Sequence, residues 1–187
     1  MSLTSLSAAP TPNLYAIFSG EINQDSTRRI FQTISAATAK KVRHIHILVE
    51  SYGGYVGDGI CLYNFFKSLP VDLTLYNVGA VQSIATIAYL GAKWRKASAR
   101  AAFMIHRTLV SPQLANSAKL HAVAKSITID DERTESILRE HLNLSKEEWD
   151  ALNYTDLHFS GEEAVNIGLV HEIGEFSPPP GSQLWDI

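Results

Sequence analysis

A single cysteine, Cys61, in 187 residues rules out an internal disulfide and fits a reducing cytoplasm, where the chain is expected to reside. No window approaches the run of about 18 apolar residues that crosses a membrane, so no membrane partner is expected. Sixteen basic residues against nineteen acidic ones give a formal charge of −3, and no Lys/Arg cluster is dense enough for a nucleic-acid footprint. Met1–Pro12 lacks the basic start and continuous apolar core of a secretory signal, and reads as a flexible tail. No Gly-rich loop with a phosphate-binding Lys appears, so the chain itself is not expected to bind ATP. Seven histidines are present, but none are spaced to gather three metal ligands. His44 and His46 alternate along one strand and would make a weak site. No metal or other cofactor is expected.

What the chain does have is an alternation of strand and helix patterns on a scale that fits one domain, spanning 14–174 between tails at 1–13 and 175–187. Leu14–Phe18 reads as a strand, followed by a helix capped by Asp25 or Ser26 with Ile30, Phe31, Ile34 and Ala37 at helical spacing. His44–Val49 is β-branched and apolar, and Gly53-Gly54 ends it. A second helix with Ile60, Tyr63, Asn64 and Phe66 runs to Pro70, and Cys61, among Ile60, Leu62 and Phe65, is expected as core filler. A third strand, Leu73–Val78, is turned by Gly79 into a helix through Ile84, Ile87, Ala88 and Leu90. Such alternation defines an α/β domain with a largely parallel sheet. Short strands follow at Trp94–Ala97 and Ala102–His106, then a long helix over Ala115–His141 with apolar Leu120, Val123, Ala124, Ile127, Ile137 and Leu138. Ser145-Lys146-Glu147-Glu148 and Ser160-Gly161-Glu162-Glu163 have capping-box patterns that start two more helices. Leu169–Ile173 is expected as a last strand, and Pro178-Pro179-Pro180-Gly181 marks a breaker-rich end.

Three polar residues stand out by position. Ser83 lies where small residues run into an apolar helix, a place that exposes a hydroxyl beside unpaired N–H groups and the positive end of the helix dipole. His106 closes a strand, and Asp156 precedes the Ser160 helix start. A serine hydroxyl needs a base to take its proton and donors to steady the oxyanion. On this reading His106 is the base, Asp156 orients and stabilises the imidazolium, and the amides of Ile84 and Gly54 form the oxyanion hole. Glycine suits position 54 because the backbone must approach the substrate carbonyl closely. Each residue alone has an ordinary structural explanation: a helix start, a strand end, a capping aspartate, a tight turn.

These pieces resemble the proteolytic subunit of the ATP-dependent Clp protease, within the superfamily that includes crotonases. The likeness rests on Ser51-Tyr52-Gly53-Gly54-Tyr55-Val56, on Gly79 through Ser83, on Met104-Ile105-His106, and on Asp156 through Gly168-Leu169-Val170. It implies a ClpP/crotonase-like α/β fold of repeated β-β-α units with a protruding helical handle at Ala115–His141. It also implies a serine endopeptidase with Ser83, His106 and Asp156 as triad and Gly54 and Ile84 as oxyanion hole. Peptides or unfolded proteins would be cut inside a homo-oligomeric chamber of seven-membered rings, stacked in pairs. The gap from Ser83 to His106 is slightly short for the family, implying a trimmed loop near Trp94–Ser98.

Several positions depart from the family pattern. His46 and Leu48 stand where tyrosines help form the pocket that docks a Clp-type ATPase, and Thr155 stands where Arg precedes the Asp. Tyr52 replaces a turn proline, Arg107 to Pro112 lacks the Gly-rich strand that pairs with substrate, and Met1–Asn13 lacks the pattern of the pore loops. Altered or absent ATPase docking is therefore expected. The alternatives are a non-catalytic assembly or regulatory subunit and a crotonase-like acyl-CoA enzyme. The latter would use Glu/Asp acid–base residues in place of the Ser-His-Asp set. A membrane-type Ser-Lys pair is disfavoured because Lys93 and Lys96 follow Ser83 too closely.

Overall fold

The computed structural model describes residues 13–111 and 114–187. The expected tail at Met1–Pro12 and the end of the Arg107–Pro112 segment lie outside them. In chain order the elements are β1 (Asn13–Ser19), α1 (Gln24–Ala39), β2 (His44–Ser51), α2 (Val56–Lys67), β3 (Asp72–Gln82) and α3 (Ile84–Leu90). They continue with β4 (Trp94–Ala97), β5 (Ala102–Ile105), α4 (Ser117–His141) and α5 (Lys146–Ala151). The last four are β6 (Leu157–Ser160), α6 (Gly161–Asn166), β7 (Glu172–Ile173) and β8 (Leu184–Asp186).

One sheet holds the strands in the order β6-β5-β3-β2-β1-β8, with β4 and β7 branching from β3. Every pairing is parallel except β5 with β6. Alternate residues of β2 (Ile45, Ile47, Val49) pack with Ala16, Phe18 and Leu75 against Ile30, Ile34, Leu62 and Phe66 of α1 and α2. The other face of β2 carries His44, His46 and Leu48, each half-buried. No helix among the described residues is long and apolar enough to cross a membrane.

Several expectations need correction. Gly79 does not turn β3 into a helix: the strand continues to Gln82. The first part of β3 pairs with β4 as far as Asn77, and the last part pairs with β5 from Ala80. Gly79 lies in the transfer, where its N–H donates to the side chain of buried Asn77 at 3.0 Å and Asn77 Nδ2 donates to the Ala102 carbonyl at 2.9 Å. The turn itself falls at Ser83. Helix α1 is capped by Asn23, not Asp25 or Ser26. Its side chain accepts from the Ser26 N–H and the Ser26 hydroxyl accepts from the Asn23 N–H, both at 3.0 Å. Cys61 is exposed, because α2 buries Gly59, Ile60, Leu62, Tyr63 and Phe66, and position 61 falls off that face. The last expected strand shrinks to Glu172–Ile173, since Leu169 and Val170 are buried in the turn after α6. The breaker-rich end returns as β8 beside β1, with Ile187 buried.

Both later capping boxes form, Ser145 with Glu148 and Ser160 with Glu163. Helix α4 buries only Ile137 and Leu138, near its C-terminal end. At 25 residues it is roughly 37 Å long, so most of it projects from the body. Of its expected apolar stripe, Leu120 remains exposed, as does Ile129 further along the helix.

Candidate active site

In a parallel sheet the strands all end at one edge, and loops from neighbouring strands meet there. Here β2 ends in Ser51–Gly54, β3 in Gln82–Ser83 and β5 in Ile105–His106. Strand β6 runs the other way, so the approach to it, carrying Asp156, comes to that same edge.

Ser83 joins β3 to α3 with φ 55° and ψ −133°, a conformation that L-residues rarely adopt. The turn is held from both sides. The Ser83 N–H donates to the Met104 carbonyl at 2.8 Å, and the buried Thr86 hydroxyl reaches the Val81 and Met104 carbonyls at 3.1 and 3.2 Å. Sequence reasoning misses Thr86, although an aliphatic hydroxyl in the apolar run Ile84–Leu90 is the available signal. The outcome is a hydrogen bond of 2.7 Å between Ser83 Oγ and His106 Nε2.

The Gly-Gly turn is shaped by close approach. A Cβ on Gly53 would lie 2.7 Å from Ser83 Cβ, and one on Gly54 would lie 2.0 Å from the Ile22 carbonyl oxygen. Gly54 bridges Ile22 in parallel fashion: the Ile22 N–H donates to Gly53 and the Tyr55 N–H donates to Ile22, both at 2.8 Å. That pattern turns the N–H of Gly54 itself to the opposite side. The N–H of Ile84 is one of the orphan donors of a helix start. Among the described residues neither amide donates a hydrogen bond, and Gly54, Ser83, Ile84 and His106 line one cavity of about 230 Å³. Its remaining walls include Val56, Ile87, Ile105, Leu109 and Leu138, and among the described residues Arg107 is its single formally charged lining residue. A larger hollow of about 410 Å³ between α1, β1 and the C-terminal strand lacks, among the described residues, any pairing of a nucleophile with a base. Chemistry, not size, marks the site.

Asp156 is not brought into a hydrogen bond with His106. It is exposed, and His106 Nδ1 is buried with no partner among the described residues. Beyond His106, the Thr108 N–H donates to Asp131 at 2.8 Å. Arg107 pairs with Glu135 at 2.7 Å and donates to Asn153 at 2.8 Å. Burial pushes the Glu135 carboxyl up, but hydrogen bonds from Arg107 and Arg139 outweigh it and hold the group below its ordinary value. Neither Arg107 nor Asn153 carries a sequence signal of its own. No three His, Cys, Asp or Glu side chains among the described residues cluster as a metal site.

An α/β sheet with a hydroxyl and an imidazole paired at its carboxyl edge, beside two unengaged amides, is the framework of a hydrolase. The model of the Clp protease family matches residues 13–177, and the chain belongs to that family, one of peptidases. Among solved structures, a mutant form of ClpP1 from Listeria monocytogenes matches with a TM-score of 0.76 at 24% identity, over 89% of this chain and 92% of that one. The ClpP-like fold is thereby shown.

Proposed function

We propose that this chain is a serine endopeptidase that cuts peptides or unfolded proteins within a homo-oligomeric chamber. The observation that carries the reading is the 2.7 Å contact between Ser83 Oγ and His106 Nε2 at a cavity flanked by the amides of Gly54 and Ile84. His106 takes the hydroxyl proton as Ser83 Oγ attacks the scissile carbonyl, and the two amides receive the oxyanion. The imidazolium then protonates the leaving amine, giving an acyl-enzyme. Water, deprotonated by His106, hydrolyses the ester and restores Ser83. For Asp156 the support is the strand register. Ile105 pairs with Leu157 at the end of the ladder, and one further step of that register would set Asp156 opposite His106 and its orphan Nδ1.

The uncovered Leu120 and Ile129 of α4 support assembly through this helix, into the stacked seven-membered rings that the family resemblance implies. A reducing cytoplasm is the setting we propose. Docking of a Clp-type ATPase is altered or absent in this reading. His46 is stacked on Tyr15 at 4.8 Å, and Phe176 from the C-terminal segment lies edge-on to Tyr15 and Tyr76 at 6.2 and 5.4 Å, covering this sheet face.

The test is hydrolysis of a fluorogenic peptide and a denatured protein by the purified full chain, its assembly followed by sedimentation. Turnover that disappears in Ser83→Ala, with the assembly unchanged, supports the reading. An assembled wild type with no turnover favours a non-catalytic subunit, the reading to which the unpartnered Nδ1 lends weight. Tight nucleotide-dependent capture of a Clp-type ATPase would overturn the docking claim.

A further inference from the structure

The residue after His106 ties together three parts of the chain that the sheet leaves unconnected. Arg107 places one guanidinium nitrogen 2.7 Å from Glu135 Oε2 on α4 and the other 2.8 Å from Asn153 Oδ1, in the turn that leads to Asp156. Both partners of the ion pair have side chains only 26% exposed, a setting that loses less to solvent than a surface pair does. The planar fork is suited to two acceptors at once, which a lysine ammonium is not. Glu135 is held on its other side by Arg139, at 2.7 Å, and the Arg139 guanidinium lies 4.0 Å over the ring of Trp149 in α5. One turn earlier on α4, Asp131 accepts from the Thr108 N–H at 2.8 Å. The segment leaving β5 is thus fastened to α4 at two successive residues and to the Asp156 turn at one of them.

The position of this network gives it a consequence. The β5–β6 ladder stops at Ile105 and Leu157. Among the described residues no backbone pairing past that point fixes His106 against Asp156, the imidazole bonds only to Ser83, and its Nδ1 is unpartnered. The Arg107–Asn153 contact is the next cross-link beyond the end of the ladder. Remove it, and the two chain segments are free to splay where a carboxylate must reach an imidazole.

Resting on the peptidase reading above, we propose that Arg107 is a positioning residue: it clamps the Asn153–Asp156 turn beside His106 and makes that alignment depend on the placement of α4. The guanidinium does this through Asn153 and Glu135 and takes no part in bond making. Because Arg107 also lines the 230 Å³ cavity, a direct contact with substrate is the rival role, and kinetics separate the two.

The experiment measures peptide hydrolysis by the assembled full chain for the wild type, Arg107→Ala, Arg107→Lys, Asn153→Ala and the Arg107→Ala/Asn153→Ala double variant. Positioning predicts that Arg107→Ala and Asn153→Ala each lower kcat by about tenfold or more with KM nearly unchanged. The double variant is then no worse than Arg107→Ala alone, because both cut the same link. Arg107→Lys keeps the charge but loses the fork. It therefore recovers little of the kcat lost in Arg107→Ala. A raised KM at constant kcat overturns the proposal in favour of substrate contact. Unchanged kinetics in Arg107→Ala, or losses that add in the double variant, also overturn it. If Arg107→Ala does not fold, Asn153→Ala and Arg107→Lys decide. A wild type without turnover and without labelling at Ser83 by a fluorophosphonate fails the peptidase reading itself. An active wild type with an equally active Arg107→Ala fails this inference alone.

Discussion

Ile105 and Leu157 are the last partners across the antiparallel β5–β6 pair, and in the proposed mechanism one further step of that register brings Asp156 to His106. Cross-strand neighbours of this kind project to the same face, with Cβ atoms about 4.5–5.5 Å apart. One reversal of strand direction brings the approach to β6, which carries Asp156, to the sheet edge where β5 ends at His106. The expectation is that Asp156→Asn lowers kcat by roughly 10³–10⁴-fold while the fold persists, since the amide fails to stabilise the imidazolium. Steady-state kinetics beside a thermal melt check it, and full activity in Asp156→Asn would remove Asp156 from the mechanism.

Gly54 has no room for a side chain. An added Cβ lies 2.0 Å from the Ile22 carbonyl oxygen, so Gly54→Ala must push the turn away from β1's loop and re-aim the amide. If that amide serves the oxyanion, kcat drops by about 10²–10³-fold even in molecules that fold. Measuring kcat together with the melting temperature separates re-aiming from unfolding.

Arg95 is buried, and its guanidinium donates to the carbonyls of Leu169, Ala92, Gly168 and Leu90 at 2.8, 3.1, 3.3 and 3.4 Å. It closes the end of α3 and the turn after α6 with one group. Arg95→Met strands these acceptors and should cost about 3 kcal/mol or more. Arg95→Lys should rescue little, because a single ammonium cannot reproduce the fork. Denaturant unfolding measures both.

His46 supplies a pH dependence. Burial, then the neighbouring His44 and Lys96, lowers its pKa from 6.5 to about 4. The folded form holds the ring neutral, while the unfolded chain takes up a proton below its ordinary pKa. Stability is therefore lost as pH falls from 6.5 toward 4 and levels off below that window. Burial also lowers His44, His141 and His171, which add to the same trend. His46→Gln should flatten part of the fall in melting temperature between those two pH values. An unchanged slope would contradict it.

Much of the sheet was legible because β1, β2 and the start of β3 carry strong apolar patterns between clear breakers, and because capping boxes at Ser145 and Ser160 are local signals. What failed was set by tertiary pairing. Gly79 looks like a turn, but β3 changes partners there and continues. Cys61 sits among apolar neighbours in sequence, yet a helix buries a stripe and not a run. Leu184–Asp186 could not be read as sheet-forming from a proline-rich context, since β8 exists only by pairing with β1. At the site, a helix start pointed to Ser83 and a strand end to His106, and the structure joins the two by a hydrogen bond. The tether through Arg107, Asn153 and Glu135 is invisible to spacing, because it joins a strand end, a turn and a helix by side chains alone.

The most direct measurement is mass-spectrometric mapping of a fluorophosphonate adduct on the purified full chain. The account predicts a single adduct on the peptide containing Ser83, lost in Ser83→Ala and strongly slowed in His106→Ala. An adduct elsewhere, or none on a folded and assembled sample, contradicts it.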